Sequence, residues 1–247
     1  MSKLKRLFFD LETSPNIGFF WRSGYKLNVG PESIIQERAI ICACYKWEGE
    51  KTVHSLEWNK GDDKKLLQEL IKVVNEADEI VAHNGDKFDV KWLRTRCLRH
   101  RIPVFPFYKT VDTLKIAREQ FYFNSNKLNY ISQFLGIGKK HNTGYDLWKD
   151  IVLKNDEKSM KKMIAYCKQD VKLLEEVFNI LQSYAIPKTH KGVVEGKSKL
   201  SCPYCASYQF QVSKTRISAR GYVTKQLKCK SCGGYHTVSN ATYEAQR

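Results

Sequence analysis

Short apolar runs alternate with stretches of helical periodicity over the first three quarters of the chain. Strands are expected at residues 4–11, 39–47, 52–58, 79–83 and 107–112, where β-branched, aromatic and other apolar residues are bounded by turn formers. Helices are expected at residues 63–76, 87–99, 113–120, 128–135 and 157–184. In the last of these Met160, Met163, Ile164, Val171, Leu174, Val177, Phe178 and Leu181 recur every three or four positions. Three strands precede the first helix, so part of the sheet must be antiparallel, with Glu48, Gly49 and Glu50 turning the second into the third. The later alternation of strand and helix is what crossovers in a mixed sheet require. The pattern predicts an α/β domain: a mixed five-stranded sheet flanked by helices.

The texture changes after residue 187. The stretch IPKTHKGVVEGKSK has the proline, glycines and lysines of an exposed linker, which divides a domain of residues 1–187 from a small unit at 200–247, with 188–199 between them. In that unit Cys202 and Cys205 form one Cys-x-x-Cys knuckle and Cys229 and Cys232 another. Four thiolates in a closed tetrahedron are the preferred ligands of a structural zinc ion, and a segment this small cannot bury enough apolar surface to fold otherwise. A zinc ribbon is therefore expected. Disulfides are the poorer explanation in a cytoplasmic protein. The scattered Cys42, Cys44, Cys97 and Cys167 read as small buried hydrophobes.

Acidic residues carry the candidate chemistry. Asp10 follows Leu7, Phe8 and Phe9, at the end of a buried strand, where an isolated charge is costly. Glu12 lies two residues on and points to the same side, and carboxylates that close repel one another unless a cation lies between them. Asp89, in AHNGDKFD, falls in the first turns of a helix after the strand that ends at His83; Asp86 is explained by the helix N-terminus alone. Tyr166 and Asp170, in YCKQD, are four apart and share one helix face. Taken alone, Asp-x-Glu is ordinarily a solvated strand end, but three such motifs in this order are not ordinary.

The order Asp-x-Glu, Asn-x-x-x-Phe-Asp, Tyr-x-x-x-Asp resembles the DEDD exonucleases, in the branch with tyrosine in the last motif. The likeness is to proofreading domains of family B DNA polymerases and to stand-alone phage and bacterial exonucleases, over roughly residues 4–185, with VDTLKIAR and KLNYISQFLGIGKK agreeing in between. The resemblance implies a ribonuclease H-like fold and 3′–5′ exonuclease activity. It makes Asp10, Glu12, Asp89 and Asp170 ligands of two magnesium or manganese ions, and Tyr166 the residue that positions the attacking water. Two cations about 3.5–4 Å apart would grip the scissile phosphate, one activating the water and the other steadying the leaving oxygen. A tyrosine, with an ordinary pKa of about 10, orients that water while protonated. The sister branch has histidine at this position, so a histidine base is not expected.

Lysine and arginine number 42 against 26 acids, a formal charge of +16, which suits an anionic polymer but does not identify it. From residue 188 onward 11 cations face two acids, so the tail is the more basic part. Phe20, Trp21, Arg22 and Tyr25, beside Phe19 and Lys26, interleave aromatics with cations just after the first motif. They form either part of a single-strand channel or a cover for the core. Asn84 and Phe88 of the second motif are further candidates for nucleic-acid contact. So are Lys214, Arg216 and Arg220 in a basic hairpin, although a ribbon can equally bind protein. Lys139, Lys140 and His141 and the cationic face from Lys91 to Arg101 read more simply as solvated surface. No apolar run is long enough to span a membrane and no signal peptide is legible, so a soluble protein is expected, cytoplasmic, in a host cell if phage-encoded. DNA is the expected substrate, with RNA an alternative. A transposase-like or resolvase-like endonuclease and a non-catalytic nucleic-acid-binding protein are the other classes. With no polymerase domain in the chain, proofreading would need a replication or repair partner in trans; oligomeric state is not legible.

Overall fold

The computed structural model describes residues 3–22, 24, 29–104, 107–138 and 144–245. In chain order the elements are β1 (Arg6–Thr13), β2 (Ile17–Gly18), β3 (Ile34–Gln36), β4 (Ile40–Trp47), β5 (His54–Glu57), α1 (Lys64–Asn75), β6 (Glu79–Ala82), α2 (Asp89–Arg99), β7 (Lys109–Asp112), α3 (Thr113–Gln120), α4 (Leu128–Phe134), α5 (Asp146–Lys154) and α6 (Glu157–Leu181). After these come α7 (Lys191–Val194), β8 (Phe210–Ile217), β9 (Val223–Cys229), β10 (Tyr235–Ser239) and α8 (Asn240–Glu244).

The main sheet has the order β5-β4-β1-β6-β7. As the early strands imply, β1, β4 and β5 pair antiparallel, whereas β6 and β7 run parallel to β1 after their crossovers. Alternation along β1 sends Phe8 into an apolar layer beneath α3 to α6, and Leu7, Phe9 and Leu11 into a second layer beneath α1 and α2. Leu66, Leu67, Leu70, Ile71 and Val74 make the buried stripe of α1. The long α6 starts where the Asp156 side chain accepts the Ser159 N–H at 2.8 Å, an N-cap that satisfies one of the helix's free donors.

Asp10 is not at the end of its strand. β4 accompanies β1 from Leu7 to Thr13, but β6 pairs only with Arg6, Leu7 and Phe8 before it turns away. The second half of β1 is thus paired with a strand on one flank only, beyond the carboxyl end of β6, and ligands gather at the carboxyl ends of parallel strands.

β2, β3, α5, α7 and α8 were not anticipated. Residues 188–199 hold α7 and pack against both neighbours. The Lys191 N–H bonds the Pro203 carbonyl at 3.0 Å, and its Nζ lies 3.3 Å from Glu48, which also pairs with Arg6 at 2.7 Å. Gly192 permits this closeness, because a Cβ there would stand 1.9 Å from Ser201 Oγ. The last unit is a sheet of order β10-β9-β8 whose core is Leu200, Leu227 and Val238, with Phe210 and Tyr243 packed against them. It is fastened to the larger domain by Tyr204, whose hydroxyl donates to the Ala185 carbonyl at 2.9 Å.

Candidate active site and metal centres

Asp10, Glu12 and Asp170 each bring a carboxylate oxygen within 4.8 Å of the others. The pleat aligns Asp10 with Glu12 on one side of β1, and α6 packs across β1 and β4 so that Asp170 meets them. Asp170 is buried and the other two are half-buried. Tyr166 is half-buried one turn earlier on α6. Three carboxylates at this separation repel one another unless a cation intervenes, and an oxygen-only donor set fits a hard divalent ion.

Asp89 is not in that trio. It is the first residue of α2, buried, and its Oδ1 accepts the Leu11 N–H at 3.0 Å. Because β6 has already ended, the carboxylate stands where a neighbouring strand's carbonyl would otherwise be. Burial pushes the Asp89 carboxyl up to about 7, against the pull of the Leu11 and Asp89 amides and with the help of the nearby Asp112 charge. Its contact is with Leu11, the residue between the two acids of the first motif.

The turn that delivers Asp89 is tightly determined. Asn84 adopts the left-handed region at φ +68°, and a Cβ on Gly85 would come within 2.5 Å of the Ala82 Cβ. Buried Asp112 holds the turn: its carboxylate accepts the amides of Asn84 at 2.9 Å and Asp86 at 3.3 Å while capping α3 through Leu114 at 3.0 Å. Its one sequence signal is an acid just before a predicted helix, which suggests a cap but not the second duty. His83 braces the same turn, with Nδ1 2.9 Å from Thr113 Oγ1 and Nε2 2.9 Å from the Asn126 carbonyl. Beneath the trio, Cys167 Sγ lies 3.4 Å from the Asp10 carbonyl and 3.5 Å from its Oδ2. Burial pushes this thiol well up, so it is a donor to Asp10 as well as a packing group.

Phe19, Phe20 and Trp21 are exposed at 76%, 57% and 105%, which removes core cover as their role. Arg22 is exposed beside them, and Tyr25 and Lys26 lie outside the described residues, as do Lys139, Lys140 and His141. Phe88 is half-buried as the residue before α2, Asn84 is half-buried in the turn, and Lys214, Arg216 and Arg220 are exposed on the small unit.

Cys202, Cys205, Cys229 and Cys232 place their sulfurs within 4.8 Å of one another, with the closest pairs Cys202–Cys232 and Cys205–Cys229 both at 3.6 Å. Backbone amides point at the sulfurs. Burial raises Cys202 although the amides of Cys205 and Tyr204 oppose it; at Cys229 burial also pushes upward, but the amides of Cys232 and Ser231 together with the Cys205 and Cys232 thiols outweigh it and the thiol falls to about 7. Four converging sulfurs, three of them facing backbone amides, are the donor set a tetrahedral zinc ion takes. A third grouping, Asp62, Asp63 and His100, is different in kind. Asp63 is fully buried, and its two oxygens are occupied by Arg96 at 2.7 and 2.9 Å, His100 at 2.7 Å and the Ile40 amide at 2.9 Å. That is a structural knot that leaves no room for an ion.

The family model described as RNase_H superfamily matches residues 34–182, and the mixed sheet with its flanking helices is the RNase H-like fold. A DNA polymerase from Thermococcus hydrothermalis is 30% identical over 106 residues, a match covering 38% of this chain and 5% of that protein. The structure of the family B DNA polymerase from the hyperthermophilic archaeon Pyrobaculum calidifontis superposes with a TM-score of 0.56 at 17% identity, over 74% of this chain and 26% of that one. The chain thus spans a small part of each of these two polymerases.

Proposed function

This chain belongs to the RNase_H superfamily, and from that premise we propose that it is a metal-dependent 3′–5′ exonuclease that hydrolyses phosphodiester bonds of DNA, taking single-stranded or frayed 3′ ends. One observation carries the reading: Asp10, Glu12 and Asp170, from two distant motifs, converge within 4.8 Å, with Tyr166 a turn away on the helix that supplies Asp170. Partial likeness to two DNA polymerases favours DNA.

Asp10, Glu12 and Asp170 would hold two magnesium or manganese ions, with Asp89 as the fourth carboxylate. Bound there, such ions lower the pKa of the attacking water and offset charge on the leaving 3′ oxygen. Tyr166 would orient that water through its hydroxyl. Asp112 and Cys167 act through others, the first by fixing the turn before Asp89 and the second by holding the Asp10 carboxylate in one orientation. Exposed Phe19, Phe20 and Trp21 offer stacking faces for unpaired bases, and Arg22 a charge for the backbone. Cys202, Cys205, Cys229 and Cys232 would hold one structural zinc.

The test uses end-labelled linear strands and closed single-stranded circles of DNA, with matched RNA, in magnesium and in manganese. Stepwise release of mononucleotides from the 3′ end, faster on DNA, is the expected result. Cutting of circles would replace the reading with an endonuclease of the resolvase kind. Binding without cleavage in either metal would leave only a nucleic-acid-binding protein.

A further inference from the structure

From Gly196 to Tyr243 the chain has eight lysines and arginines and not one acid. The ribbon sorts these charges by face. Along β9, Leu227 and Cys229 turn inward and are buried, so Gln226 and Lys228 turn outward. Register then places Lys214 opposite Gln226, Arg216 opposite Thr224 and Tyr235 opposite Lys228. Lys214, Arg216 and Lys228 share the outer face with the Tyr235 ring, over which the Lys228 ammonium sits at 5.7 Å. Among the described residues none of these three cations is in an ion pair with a carboxylate.

We propose that this outer face is a second, sequence-independent grip for the phosphate backbone of a nucleic acid, separate from the proposed hydrolytic site. Protein interfaces are centred on a buried apolar or aromatic cluster, and this face offers cations, hydroxyls, an amide and one tyrosine. That composition complements a polyanion. Its location gives it a distinct task. The ribbon is attached where β1 begins, through Lys191 on Glu48 beside Arg6 and through Tyr204 on Ala185, whereas Asp10 lies about 13 Å further along β1. The face therefore holds a stretch of polymer away from the scissile bond, and it matters for long substrates more than for short ones.

The experiment compares the full-length chain with its Lys214→Ala, Arg216→Ala, Lys228→Ala triple variant, both also carrying Asp170→Ala. Fluorescence anisotropy follows a short single strand, a long single strand and a long duplex across a salt series. For the long probe that occupies the face, Kd should rise roughly tenfold and the slope of log Kd against log salt should fall by about 2 to 3, while the short strand changes little. A loss confined to one long probe assigns the polymer form. Zinc content and melting temperature, equal in both proteins, exclude misfolding, and a Lys214→Arg, Lys228→Arg variant should keep most of the affinity. Unchanged Kd and slope on both long probes would overturn the proposal and leave the face to an acidic protein. Cleavage of the probes by the Asp170→Ala chain would instead fault the hydrolytic reading, which this surface does not depend on.

Discussion

The larger domain and the small unit after it are held together by different forces. Among the described residues the larger unit buries clusters of 20 and 17 residues on the two faces of its sheet, while the small unit's apolar cluster has three buried members beside its four sulfurs. At about 25 cal/mol per Å² the first can absorb unfavourable groups, and Asp10, Glu12, Asp89 and Asp170 are such groups. The second has no such reserve, and we propose that an ion on its four sulfurs holds it. The difference also explains where charge goes. The domain gathers its buried and half-buried acids where α6 crosses β1, whereas the small unit, its four sulfurs gathered together, leaves a sheet face to cations.

Removing zinc should produce the largest effect, because a structural site of this type contributes on the order of 10–16 kcal/mol of apparent free energy. Cys229→Ser, or a chelator with magnesium restored afterwards, should unfold residues 200–245 and expose them to protease, while amide exchange in β1, β4 and α6 stays slow. Loss of protection throughout the sheet would show that the two units are one cooperative structure.

Next in size is the cost of losing one of the clustered acids. Asp170→Ala should lower cleavage by at least about a thousandfold, on the order of 4 kcal/mol of transition-state stabilisation. In metal-free protein its melting temperature should hold or rise, since one of three mutually repelling carboxylates is gone. A fall in both activity and melting temperature would mean that the acid serves the core and not the chemistry.

Much of the larger domain was legible because its strands are buried runs and its helices carry clear stripes. All five main strands and the helices α1 to α4 and α6 lie within a few residues of their expected places. α5 escaped notice for a local reason. It starts at Asp146 after Tyr145, with no side-chain cap, and ends at Asn155 in the left-handed region, so neither end has a strong signal. The site was legible only as motifs. Sequence spacing pairs Asp10 with Glu12 and Tyr166 with Asp170, but it cannot show that β6 stops early and lets Asp89 take the Leu11 amide. Asp112 was illegible for the same reason, since its partners Asn84 and Asp86 lie across the crossover.

Asp63 tests whether the larger domain is held by apolar burial alone. Asp63→Ala should cost about 3–5 kcal/mol, because it leaves the largely buried Arg96 guanidinium without its partner. The pH dependence has a definite sign. Burial by itself would raise the Asp63 carboxyl, but hydrogen bonds from Arg96, the Ile40 amide and His100 hold it below the ordinary carboxylate value. A depressed folded pKa gives stability that is present above the unfolded value, near 3.9, and is lost as pH falls through the folded one. Urea titrations should therefore find the wild-type advantage over Asp63→Ala constant near neutrality and shrinking only in strong acid. A gap that stays constant to the lowest pH would assign the effect to packing.

The smallest effect separates water orientation from ligand support within the site. Tyr166→Phe keeps the ring in the apolar layer beside α6 and removes only the hydroxyl. Without an oriented water, kcat should fall about ten- to a hundredfold, on the order of 1.4–2.7 kcal/mol, with KM and melting temperature unchanged. The magnesium concentration for half-maximal activity distinguishes the two roles. If the hydroxyl acts on water, that midpoint stays where it is; if it acts by holding Asp170, the midpoint moves to higher magnesium and excess metal restores the rate. Because the Asp170→Ala loss cannot be restored by metal in either case, the two variants together show whether Tyr166 belongs to the chemistry or to the scaffold that presents it.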